Sequence, residues 1–96
     1  GAGSHILDLN RNANFKLTLS GNITLVNPAE LTAGTTGSIF IVQDGTGSRT
    51  VSYGTSWDFI GGTAPTMTTA ASSVDRIDYI VLDSTNIHAV ATLAYS

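Results

Sequence analysis

Cysteine is absent from these 96 residues. Neither a disulfide framework nor a thiolate metal site can therefore hold the fold together. Charge is nearly as scarce, with 11% of residues Asp, Glu, Lys or Arg and a net charge of −3. The four basic residues, Arg11, Lys16, Arg49 and Arg76, are scattered. No basic stripe exists to neutralise a phosphate backbone, so no nucleic acid is expected as a partner. No apolar run approaches the roughly 20 residues a membrane-spanning helix needs, so no membrane insertion is expected. No signal peptide is visible. Helix-period segments are missing as well. Of the two histidines, His5 falls in Gly1-Ala2-Gly3-Ser4-His5. That opening reads as a linker or cloning remnant on an excised piece of a longer chain, with residues 6–96 as one domain.

Alternation fills the rest. In "NFKLTLSGNITL", Phe15, Leu17 and Leu19 share one face, and Lys16, Thr18 and Ser20 the other. Period 2 marks a half-buried strand. Ser20-Gly21-Asn22 supplies turn chemistry before Ile23 and Leu25 resume the pattern, so a hairpin is expected. "HILDLN" reads as a short strand with Ile6 (or Leu7) and Leu9 inward. Asn27 to Gly37 opens with Asn-Pro and has room for one helical turn at 28–31. "SIFIVQ" is a continuous apolar strand, expected to be covered on both faces. Val51 and Tyr53 share a face, as do Trp57 and Phe59. "TAPTMTTAASS" is a connecting or edge segment because of Pro65. "VDRIDYIVLD" and "IHAVATLAYS", joined by Asp83-Ser84-Thr85-Asn86, form a long closing hairpin. The fold class expected is all-β: an antiparallel β-sandwich, jelly-roll-like, of eight or nine short strands. No internal repeat of 20–50 residues stands out.

The stretch "VQDGTGSRTVSY" concentrates polar residues between two apolar runs. Aspartic proteases require Asp directly before Thr-Gly, whereas Gly45 here separates Asp44 from Thr46. The structural reading is a loop whose glycines take φ > 0, with Arg49 reaching back to Asp44. Glycoside hydrolysis needs two carboxyls about 5–9.5 Å apart. Asp44, Asp58, Asp75, Asp78 and Asp83 are the candidates, and no spacing pairs them. No D-x-D-x-D-G run supports calcium. His88, opposite Ile87 and Ala89, is a solvent or interface histidine rather than a ligand. Asn22-Ile23-Thr24 matches a glycosylation acceptor but sits where a turn favours Asn anyway. Trp57, Phe59 and Tyr53 suit a core better than a sugar platform, with Tyr53 and Tyr79 the more exposed members. No catalytic residue, metal ligand or cofactor is expected.

The segments "LSGNITL", "GSIFIVQDGTGSRT", Trp57, "GGTAPTMTT" and "VDRIDY" together resemble a β-rich domain of bacteriophage tail-fibre and other virion-associated proteins. Met67 stands where that pattern usually has Leu. The resemblance covers nearly the whole chain after the first dozen residues. It implies a non-enzymatic virion module in host-surface adhesion, built as a homotrimer and touching a host cell-surface glycan or protein. A small, weakly charged, Thr- and Ala-rich domain independently favours association with copies of itself. Ala89, Ala91 and Ala94 would let neighbouring chains approach. Any glycan site is expected near Asp44, Arg49, Tyr53, Trp57 and Asp58. The rivals are a structural spacer, trimerisation or capsid-decoration domain, and a carbohydrate-binding module attached to a glycan hydrolase.

Overall fold

A computed structural model describes residues 2–95. Gly1 of the leading linker and Ser96 of the domain lie outside the described residues. The strands are β1 (Gly3–His5), β2 (Phe15–Leu19), β3 (Ile23–Leu25), β4 (Thr36–Gln43), β5 (Val51–Tyr53), β6 (Trp57–Phe59), β7 (Val74–Asp83) and β8 (Asn86–Thr92). They form two sheets. Sheet A has the order β1-β3-β5 and sheet B the order β2-β4-β7-β8-β6. The all-β, two-sheet reading therefore holds. Its antiparallel, jelly-roll arrangement is corrected: of the six strand pairings among the described residues, four are parallel. The pairs β4–β7 and β7–β8 are antiparallel.

The chain alternates between the sheets as it winds. β1 lies in sheet A, β2 in sheet B, β3 beside β1, β4 beside β2 and β5 beside β3, each pair parallel. This is a coil. The expected β2–β3 hairpin does not form, because Ser20-Gly21-Asn22 carries the chain from one sheet to the other. β6 keeps the coil's direction, and the β7–β8 hairpin is inserted between β4 and β6. Successive coils are unequal in length, since Gly3 aligns with Ile23 and Ile23 with Val51. That inequality hides the repeat from the sequence. Residues 3–5 of the leading linker form β1, while Ile6–Leu9 make no strand, yet Leu7 and Leu9 are buried. No helical turn forms at 28–31; a single 3-10 turn occupies Ile60–Gly62.

The core lies between the sheets. Leu19, Leu25, Ile39, Ile77 and Ile87 are fully buried, and Trp57 and Tyr79 nearly so. Alternation selects them, and the register stacks Phe15, Ile39, Ile77 and Ala91 across sheet B. β4 is not covered on both faces: Phe40 is 40% exposed on the outer side. Ala89 is buried and Ala91 packs against the core, so these alanines serve the inside rather than a neighbouring chain.

Asparagine side chains brace successive coils. The Asn12 and Asn14 carbonyls accept from the N–H groups of Thr36 and Ser38, both at 3.0 Å. Asn22 accepts from Thr50 N–H at 3.0 Å, and Asn27 from Ser56 N–H at 2.8 Å. Each satisfies a backbone donor that no strand reaches. Gly37 is required by a close approach: Tyr79 crosses it to donate to the Ala13 carbonyl at 2.9 Å, and a Cβ there would lie 1.9 Å from that oxygen.

Candidate functional site

Two places gather polar side chains. The first is the bend from β4 to β5, which contains the marked "QDGTGSRT" stretch. Gln43 points inward and is buried. Its amide nitrogen donates to the carbonyls of Arg49 at 2.7 Å and Thr68 at 3.0 Å, and its oxygen accepts from Arg49 N–H at 3.1 Å. Asp44 accepts from the N–H groups of Thr46 at 3.1 Å and Gly47 at 3.0 Å. Arg49 closes the bend with a 3.1 Å ion pair to Asp44. That guanidinium, aided by the Gly47 and Thr46 amides, holds the Asp44 carboxyl below the usual carboxylate range. Gly47 has φ +72° and lies under the segment leading to β7; a Cβ there would meet the Thr69 carbonyl at 2.6 Å. Ser48 N–H donates to that same carbonyl at 2.7 Å.

Asp75 belongs to this knot. It is buried, and its two carboxylate oxygens accept from Thr68 N–H at 2.6 Å and Ala94 N–H at 2.7 Å. One inward carboxylate thus ties the β6–β7 connection and the C-terminal segment to β7. Nothing in the spacing of Asp75 announced this; the clue was an Asp at an inward position of an alternating strand.

The second place is the outer face of sheet B. A shallow groove of about 370 Å³ is lined by Ile60, Asp78, Ile80, His88 and Val90 among others. Asp58 borders the adjoining groove beside His88, its register partner on β8. Asp78 is ion-paired to Arg76 at 3.1 Å and accepts from the Ser38 hydroxyl at 2.5 Å.

The five residues expected around a ligand do not share one surface. Trp57 is turned into the core, 6% exposed, with its indole N–H toward the Val26 carbonyl at 3.4 Å and its ring edge-on to Tyr79. Tyr53 packs edge-on against Phe59 at 4.7 Å, and its hydroxyl is buried without a hydrogen-bond partner. Burial, with the Asp75 charge second, pushes its ionisation up. The expectation that Tyr53 and Tyr79 are the exposed aromatics is thereby overturned; alternation placed both inward. Asp44 and Arg49 are paired within the bend, and Asp58 faces out from β6. Asp83 holds its own turn, with its carboxyl lowered first by the Thr85 N–H and then by the Asn86 amide. Among the described residues no cluster of three or more His, Asp or Glu is gathered to hold a metal.

A short all-β coil with a hairpin inserted in one of its two sheets, most of its acidic groups engaged by its own backbone or arginines, defines a two-sheet β-module. Residues 7–86 match the family described as "Putative phage tail fibre C-terminal domain". The chain belongs to that family, which places it among the structural modules of phage virions. No match is found among curated proteins or among solved structures.

Proposed function

We propose that this chain is a non-enzymatic module of the virion that serves host-surface attachment, presented in three copies. The family match over residues 7–86 carries the reading. The composition adds to it. A thin core and few charges favour association of copies, and three weak sites on one rigid body act as a multivalent binder. The outward row of sheet A, Ser4, Thr24 and Ser52, offers hydroxyls suited to hydrogen bonding with glycans. The partners proposed are a host cell-surface glycan or protein, with neither nucleic acid nor membrane insertion involved.

A second reading, a spacer or trimerisation domain with no ligand, is favoured by the burial of Trp57 and Tyr53, which removes the expected stacking platform. Fluorescently labelled protein, tested on host cells and on a glycan array, separates the two. Attachment predicts saturable binding and slowed adsorption of the phage. Folded protein that binds neither surface sinks the attachment reading in favour of the spacer. Turnover of a host polysaccharide would favour the hydrolase-linked module and overturn the non-enzymatic assignment.

A further inference from the structure

The outer surfaces of the two sheets differ in kind. Sheet A shows hydroxyls. Sheet B shows Ile80, Leu82 and Val90, which are 50, 54 and 43% exposed, with Ile60, 79% exposed, sharing a groove with Ile80 and Val90; Phe40, 40% exposed, stands apart on the same face, beside Arg76. Scattered apolar residues need no explanation, but a contiguous patch on one face marks an interaction surface. The charges within the patch are already compensated, since Arg76 and Asp78 form their own ion pair. The centre of this face can therefore be buried without stranding a charge. The remaining charges sit at its margins. Lys16 lies on β2 and Asp58 on β6, the opposite ends of the five-strand order. Both point outward, because their neighbours Leu17, Trp57 and Phe59 point in. Neither has an ion-pair partner among the described residues.

We infer that the outer face of sheet B is where copies of this chain meet: three faces turned toward a common axis, with Lys16 of one protomer paired to Asp58 of the next. The number three rests on the function proposed above; the face and the pairing rest on the surface just described. A basic margin and an acidic margin on one face complement each other when copies meet head to tail, and such heterologous contacts close into rings. The face thus carries both halves of its own contact, which suits a second copy better than an unrelated partner. The hydroxyl row of sheet A then faces outward in every copy.

The absence of cysteine makes a direct test available. Lys16→Cys combined with Asp58→Cys, treated with a short bismaleimide that adds to one thiol at each end, is expected to give a covalent trimer on a denaturing gel; the linker is needed because cysteines whose Cα atoms lie more than about 7 Å apart cannot form a disulfide. A covalent dimer as end product would overturn the ring, and assembled protein that yields no covalent product would overturn the face. Light scattering supplies the second arm. Wild-type protein is expected as a trimer, and Ile80→Asp with Val90→Asp as a monomer with unchanged circular dichroism. A doubly substituted protein that stays trimeric overturns the face while the three-copy reading stands. Wild-type protein that is monomeric at every concentration overturns both. Trimeric wild-type protein that binds no host cell counts against attachment alone.

Discussion

Two tyrosines turned toward the core from opposite sheets make opposite use of their hydroxyls. That of Tyr79 reaches the Ala13 carbonyl, whereas that of Tyr53 has lost water and gained nothing. An unmade hydrogen bond costs more than a made one contributes. Tyr79→Phe is expected to destabilise by about 1 kcal/mol, and Tyr53→Phe to leave stability unchanged or raise it by up to about 1 kcal/mol. Urea unfolding midpoints check both; a clear loss in Tyr53→Phe would mean that its hydroxyl has a partner. The pH dependence has a definite sign. Burial raises the folded-state pKa of Tyr53 above its ordinary 10.0, so the unfolded chain releases its proton first. Stability is retained below that ordinary value and falls as pH rises beyond it. Tyr53→Phe should flatten the decline.

The joint between β4 and β5 depends on one amide. Gln43 satisfies the Arg49 N–H, the Arg49 carbonyl and the Thr68 carbonyl at once, linking the two sheets and the β6–β7 connection. Gln43→Leu keeps much of the volume and strands the Arg49 N–H and carbonyl, while the Thr68 carbonyl keeps the Ser73 hydroxyl. It is expected to cost about 2 kcal/mol, at about 1 kcal/mol for each group left unpaired. Equilibrium unfolding measures this, and a loss below about 0.5 kcal/mol, typical of surface positions, would show that the amide is not what joins the elements. The loop is a fastener, as its glycines and the reach of Arg49 to Asp44 implied: Asp44 and Arg49 pair across the bend, and Gly47 lies against the Thr69 carbonyl.

Across the molecule, acid sensitivity follows from carboxylates held ionised in the fold. The pKa values of Asp44 and Asp83 are lowered below their ordinary 3.8, the first chiefly by Arg49 and the second chiefly by the Thr85 amide. Their contribution is present above that ordinary value and is lost as pH falls through the lower folded-state values. The thermal midpoint should therefore drop as pH is lowered past 3.8. Asp44→Asn should start lower at neutral pH and fall less steeply. A variant that keeps the wild-type slope would show that the Asp44–Arg49 pair takes no part in acid unfolding.

Alternation alone revealed which residues face the core: Leu19, Ile39, Ile77 and Ile87 were legible because side chains on a strand change sides with period 2. The β7–β8 hairpin was legible for the same reason, helped by the polar turn at Asp83–Asn86. What alternation does not encode is the strand's neighbour. Ser20-Gly21-Asn22 suits a hairpin and a sheet-to-sheet crossing equally well, and only long-range register shows that Phe15 pairs with Ile39 and Ile23 with Val51. The same limit scattered the expected site. Trp57 and Asp58 are adjacent in sequence and face opposite ways, while Asp58 and His88, distant in sequence, stand side by side. Local chemistry set the faces of each strand; the winding of the chain set which faces meet.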